Sequence, residues 1–242
     1  MDRVIYLTMA GAKAAMQRQD VVSNNLSNVS TTGFRAELTA FRAVPVRGDG
    51  ASTRVYALES TPGYNAEAGP VQATDNPLDV ALKGNAWLAV QGIDGTEAYT
   101  RSGGMEVASD GLLRLRNGLA VLGDGGPIGV PANAKLDISS DGLITATVAG
   151  SPPQGIGRLK LVTPEAPLQR GDDGLFRAAD GADLPADANA RLQSGALEGS
   201  NVGAVESMVA MISAARQFEQ QMKMLQTAQE RETSATRLLS NT

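Results

Sequence analysis

Met208-Val209-Ala210-Met211-Ile212-Ser213-Ala214-Ala215-Arg216-Gln217-Phe218-Glu219-Gln220-Gln221-Met222-Lys223-Met224-Leu225 is the stretch that decides the fold. Met208, Met211, Ala215, Phe218, Met222 and Leu225 recur at spacings of 3, 4, 3, 4 and 3, with Gln, Glu, Arg and Lys on both sides. That period predicts a helix with one apolar stripe. Ser200-Asn201 precedes it, and an Asn there can accept from the first free backbone N–H groups, so the helix is expected over 201–242. No later segment of this sequence can cover the stripe, which is therefore expected to meet another helix of the chain or another molecule.

A matching pattern stands at the other end. Ile5, Met9, Ala12 and Met16 are spaced 4, 3 and 4, and Val22, Leu26 and Val29 continue at 4 and 3, with Gln19 interrupting between them. This predicts a second amphipathic helix that stops at Ser30-Thr31-Thr32-Gly33, giving an N-terminal unit over 1–35. Prolines and glycines then crowd residues 36–78 and predict an extended connector. From Asp79 the chain changes to short β-like runs, among them Asp79–Lys83, Ala86–Val90, Leu112–Arg116, Leu119–Leu122, Leu143–Val148 and Arg158–Val162. Asn117-Gly118 between two such runs is a strong hairpin signal, expected as a type I′ turn with positive φ at both positions. Asp-Gly pairs at 94, 110, 141, 173 and 180 repeat the theme. The expected fold class is thus α+β: paired terminal helices around an antiparallel β domain over 79–200.

Composition narrows the chemistry. With 242 residues, no Cys and no His, disulfides, thiolate chemistry and imidazole acid–base catalysis all drop out together. A net charge of −5 with no basic run argues against nucleic acid, whose phosphates need clustered Lys and Arg. No run is long and apolar enough to span a membrane, and no cleavable leader follows Met1, so the protein is expected either to stay in the cytoplasm or to leave it by a route that does not remove its N-terminus. Asp137-Ile138-Ser139-Ser140-Asp141-Gly142 imitates the opening of a calcium loop, but Val148 stands where a bidentate Glu is needed. A β-turn is the expected structure there, with no metal and no other cofactor. No P-loop and no Gly-x-Ser-x-Gly elbow is present, and no catalytic residue is expected.

Val22-Ser23-Asn24-Asn25-Leu26-Ser27-Asn28-Val29-Ser30-Thr31-Thr32-Gly33-Phe34-Arg35 closely resembles the N-terminal signature of bacterial flagellar rod and hook proteins. The likeness extends through Asn76–Gly84, Ala98-Tyr99-Thr100-Arg101 and Leu197-Glu198-Gly199-Ser200-Asn201-Val202. Met1-Asp2-Arg3, Gly157–Val162 and the run from Ala215 to Gln229 look most like proximal-rod members. The resemblance implies a structural subunit of the basal-body rod in the periplasm, with its terminal helices paired as a coiled-coil inner domain and its β domain outside. It implies copies of the chain and other rod subunits as partners, together with the flagellar type III export apparatus and a rod-capping protein, without membrane insertion. The residues then expected at the assembly interface are Ile5, Met9, Ala12, Met16, Asn24, Asn25, Leu26, Asn28, Gly33 and Phe34 at one end, and Met208, Met211, Ala215, Phe218, Met222 and Leu225 at the other. A distal-rod subunit is the nearest alternative. A β-domain carbohydrate-processing enzyme would need facing carboxylates that no spacing selects.

Overall fold

The computed structural model of the chain describes residues 2–45 and 55–240. It contains two units, one formed by Met1–Val29, Ala36–Asn65 and Val202–Thr242, the other by Ser30–Arg35 and Ala66–Asn201. The first holds helix α1 (Asp2–Ser27) and helix α2 (Ala204–Ser240), which lie against each other. The first also holds the strands Glu37–Pro45 and Val55–Tyr64, and the second the antiparallel strands from Val71 onward. The architecture is α+β, two helices with an antiparallel β region between them in sequence.

Both helices differ from expectation at their ends. Gln19 does not interrupt α1, which runs unbroken because Gln is a good helix former whose half-buried side chain shares the packed face. Helix α2 starts three residues later than Asn201, at Ala204, and Ser207 N–H donates to the Gly203 carbonyl at 2.9 Å. Asn201 is not the cap. Its side-chain amide donates to the Glu67 carbonyl at 2.8 Å and its N–H to the Phe34 carbonyl at 3.3 Å, within the β unit.

The stretch expected as a connector carries strands as well. Glu37–Pro45 pairs antiparallel with Val55–Tyr64 in a long two-stranded ladder packed on α1; residues 46–54 lie outside the described ones. The crowded prolines are compatible with this because the register skips Thr61 and Pro62, so the proline without an N–H sits at a bulge.

In the β unit the core is aliphatic, as a composition poor in aromatics requires: Val80, Leu88, Val90, Leu113, Val121, Ile144, Leu159 and Leu192 are fully buried around Met105 and Leu115. A five-stranded sheet is ordered 161–162, 87–91, 97–100, 176–177, 169–170, and a three-stranded one 135–138, 143–147, 154–158. Trp87 packs on Phe176 with ring centroids 4.7 Å apart. Several strands of two to four residues, such as Glu97–Thr100 and Lys135–Ile138, carry no run long enough to be read from the sequence.

The Asn117-Gly118 hairpin forms, but not as a type I′ turn. Gly118 has φ +88° while Asn117 is not in the left-handed region. Gly118 N–H donates to the Leu115 carbonyl at 2.8 Å and Leu115 N–H to Leu119 at 2.8 Å, a type I turn closed by a glycine bulge. Ser139-Ser140-Asp141-Gly142 repeats the geometry: Gly142 N–H donates to Ser139, and Ser139 N–H to Leu143.

Candidate assembly interface

The helical unit places the expected stripe residues on two different faces. Along α1 the buried or half-buried positions Ile5, Thr8, Ala12, Ala15, Gln19, Val22 and Leu26 alternate at 3 and 4. Along α2, Ser207, Met211, Ala214, Phe218, Gln221, Leu225 and Ala228 do the same. Of the expected residues, Ile5, Ala12, Leu26, Met211, Phe218 and Leu225 lie on these faces, with Ala215 and Met222 half-buried beside them. Met9, Met16 and Met208 are instead more than half exposed.

The packed face mixes large residues with small ones. Ala214 is fully buried, and Gly11 sits so close to α2 that a Cβ there would lie 2.9 Å from the Gln221 Cδ. Thr8, Ala14, Ala15 and Ala214 were not singled out in the sequence because a small side chain carries little hydrophobic signal, although it allows the closest backbone approach. The outer face keeps large apolar groups open: Tyr6, Met9 and Met16 on α1, and Val205, Met208, Val209 and Ile212 on α2.

The N-terminal signature does local work on both sides of the unit boundary. Asn28 donates from its side chain to the Asn24 carbonyl at 2.9 Å, ending α1, while the Asn24 side chain is exposed. Asn25 is buried and grips Glu37 twice: its amide nitrogen donates to the Glu37 carbonyl at 3.0 Å, and its amide oxygen accepts from the Glu37 N–H at 2.8 Å. A side chain thus supplies both ladder bonds a neighbouring strand would make.

Gly33, Phe34 and Arg35 belong to the β unit. Gly33 has φ +69°, its N–H donates to the Glu198 carbonyl at 2.8 Å, and a Cβ on it would stand 2.3 Å from the Arg101 carbonyl carbon. Only glycine fits there. Phe34 is buried under the Arg170 guanidinium, 4.5 Å from the ring centroid.

Beside it lies a buried ionic cluster. One Glu198 carboxylate oxygen accepts from Gly69 N–H at 3.0 Å and pairs with Arg35 at 2.7 Å; the other takes two hydrogen bonds from Arg101, at 2.9 and 2.5 Å. All three side chains are about 2% exposed or less. Arg101 also donates to the carbonyls of Leu82, Gly84 and Ala86. Arg35 donates to the Glu67 carbonyl at 2.7 Å, and its Nε has no hydrogen-bond partner. Arg35, Arg101 and Glu198 had been expected only as parts of family motifs; nothing local in sequence brings together three residues so far apart.

Asp94, Asp110, Asp141 and Asp173 sit in turns, where each accepts a hydrogen bond from a residue two further on. Asp141 accepts from Ser139, Leu143 N–H and Arg158, leaving the calcium-like loop as a turn. Among the described residues no group of three or more acidic side chains could hold a metal, and no helix is long and apolar enough to cross a membrane.

Known proteins match along the whole chain. Residues 5–35 match the family described as "Flagella basal body rod protein", 81–146 the "Flagellar hook protein FlgE/F/G D1 domain" and 193–238 the "Flagellar basal body rod FlgEFG protein C-terminal". The chain is 47% identical over 250 residues to the flagellar basal-body rod protein FlgF of Salmonella typhimurium strain LT2, covering 99% of each. It is 46% identical, at the same coverage, to FlgF of Escherichia coli K12. Against the flagellar basal-body rod protein FlgG of Bacillus subtilis strain 168 the identity is 30%, over 95% of this chain and 96% of that one.

Proposed function

The chain belongs to the family of flagellar basal-body rod proteins, and from that premise we propose that its terminal helices assemble it into the proximal part of the rod. It is a structural subunit of the basal body, not an enzyme, and it assembles with other rod subunits. Helices α1 and α2 pair as a coiled coil through their packed faces, and the open apolar face seats neighbouring copies and adjacent rod proteins. The chain reaches the growing rod through the type III export apparatus and is placed there under a rod-capping protein. The interface residues are those on the open face, Met9, Met16 and Met208 among the expected ones, with Tyr6, Val205, Val209 and Ile212 added.

One observation carries this reading: a helix pair that has already buried one face still exposes large apolar side chains, Tyr6, Met9 and Met16 on α1 and Val205, Met208, Val209 and Ile212 in the first turns of α2. Covering half of six or seven such side chains is worth several kcal/mol per subunit, at about 1.5–3 kcal/mol for each full burial. That is enough to hold a subunit among neighbours.

Ile212→Asp tests it. Ile212 is 54% exposed, so the purified subunit should melt as the wild type does. Cells carrying only the variant should export the protein yet build no rod and fail to swim. Swimming cells with normal rods would refute the open face as the assembly element.

A further inference from the structure

The ionic cluster of the β unit is lopsided: two guanidinium groups share one carboxylate. The two arginines also depend on it unequally. Arg101 has three backbone carbonyls of its own, from Leu82, Gly84 and Ala86, so its guanidinium is held in place by the β core. Arg35 has one, from Glu67, and a buried Nε without a partner. Removing Glu198 would leave Arg35 facing an uncompensated Arg101 in a site shielded from water, a repulsive arrangement.

The backbone carries the same asymmetry. Residues 196–198 pair with 71–73, Gly195 N–H donates to the Asp79 carbonyl at 2.8 Å, and Gly199 N–H to Pro70 at 2.8 Å. None of these bonds involves residues 30–35. Segment 30–35, by contrast, takes three of its ties from 196–201: Gly33 donates to Glu198, Phe34 accepts from Asn201, and Arg35 pairs with the Glu198 carboxylate. Its other contacts, Thr32 with Ser102, Arg35 with the Glu67 carbonyl, and Arg170 with Phe34 and the Arg35 carbonyl, leave the Arg35 charge without an acidic partner.

We propose that Glu198 controls the order in which the β unit closes: Arg101, preset by the core, receives the carboxylate when 196–198 pairs with 71–73, and only then does the segment 30–35 dock through Arg35. The N-terminal signature therefore settles stably on the β unit only once the C-terminal segment has done so. Docking of one end of the chain is conditional on the other. The inference concerns the single subunit and stands whether or not the open helical face is the assembly surface.

Hydrogen exchange followed by mass spectrometry on the full chain tests the order, using Arg35→Gln, which removes the guanidinium, and Glu198→Gln, which keeps side-chain shape while removing charge. In Arg35→Gln, exchange should rise about tenfold or more in peptides covering 32–36 while 71–74 and 196–199 keep wild-type protection. In Glu198→Gln both sets should loosen, with 86–91, 113–121 and 144–147 unchanged. The proposal is overturned if Arg35→Gln releases 196–199 as strongly as 32–36, because the two segments then close together without order. It is overturned equally if Glu198→Gln leaves 32–36 protected. Should Glu198→Gln loosen the entire core or fail to fold, the Arg35→Gln arm alone decides the order.

Discussion

Replacing Gly33 by Ala puts the docking of the signature segment to a direct test, with Gly118→Ala as its control. Both glycines have positive φ, +69° and +88°, so both alanines incur the left-handed backbone cost of about 1–2 kcal/mol. Their surroundings differ. Nothing lies within 4 Å of a Cβ on Gly118, whereas on Gly33 it meets the Arg101 carbonyl carbon at 2.3 Å, Ser102 N at 2.4 Å and the Arg101 oxygen at 2.5 Å. These are backbone atoms of the β unit and cannot swing aside. Segment 30–35 must retreat by roughly 1 Å, the gap between 2.3 Å and the 3.4 Å at which ordinary contact begins. Retreat breaks the Gly33 to Glu198 bond and strains the one between Asn201 and Phe34, each worth about 1 kcal/mol net. It also lifts Phe34 out of its pocket, at about 1.5–3 kcal/mol. Gly33→Ala should thus cost about 3–5 kcal/mol beyond Gly118→Ala, unless the segment releases entirely. Urea denaturation measures the cost, and trypsin cleavage after Arg35, which is buried in the docked segment, measures release. If the two variants lose equal stability and Arg35 stays uncut in both, the close approach of Gly33 to Arg101 is wrong.

Two further outcomes follow from the turns. The carboxyls of Asp94, Asp110, Asp141, Asp173 and Asp187 are held below their ordinary value of 3.8, chiefly by hydrogen bonds from Thr96, Leu112 N–H, Ser139, Arg177 and Thr163 respectively. Because folding lowers these values, their contribution is complete above about pH 4 and is lost as pH falls through the folded values. With no His to titrate in between, the urea midpoint should stay flat from pH 7 to about 5 and drop below 4; a fall between 7 and 5 would contradict the assignment. Calcium and chelators should leave the melting temperature unmoved, since Asp141 is engaged with Ser139 and Arg158; a calcium-dependent rise of several degrees would show a site in the 137–142 loop.

What the sequence made legible was whatever its periods encode. Two amphipathic ends, a β-rich middle and turns at the Asp-Gly pairs of 94, 110, 141, 173 and 180 and at Asn117-Gly118 are all present. Glycine after Asp or Asn needs only neighbouring residues to act, which is why those turns could be located, while the turn type at Asn117-Gly118 depended on how Leu115 and Leu119 paired. The Glu37–Tyr64 ladder was hidden by prolines that a bulge accommodates. Nothing periodic announces the Arg35, Glu198 and Arg101 cluster, because its members come from a post-helical turn, a two-sided strand and the end of a sheet strand. Buried charge is specified by the tertiary fold, and a sequence pattern sees each such residue as an ordinary surface one.

The choice of helix face has a physical logic of its own. The methionine stripe at 208, 211, 215, 218, 222 and 225 is the stronger hydrophobic signal, yet Ala214 is the only fully buried position among the described residues of α2, and Thr8, Ala12 and Ala15 are buried on α1. Ile5, Leu26, Met211, Phe218 and Leu225 are also turned to the packed faces, so the small residues among them leave room for other large side chains to stay outside. Small residues inside let the two backbones approach closely and place Met9, Met16, Met208 and Met224 outside. Methionine is unbranched and adapts to irregular partners. A rod subunit that must meet copies of itself and unlike subunits through one face benefits from that adaptability, which a rigid Leu or Ile surface would not offer. Met208→Leu together with Met16→Leu should therefore leave the melting of the single subunit unchanged. It should slow or misplace rod assembly in cells, and normal motility with normal rods would show that bulk alone, not side-chain adaptability, is what the open face requires.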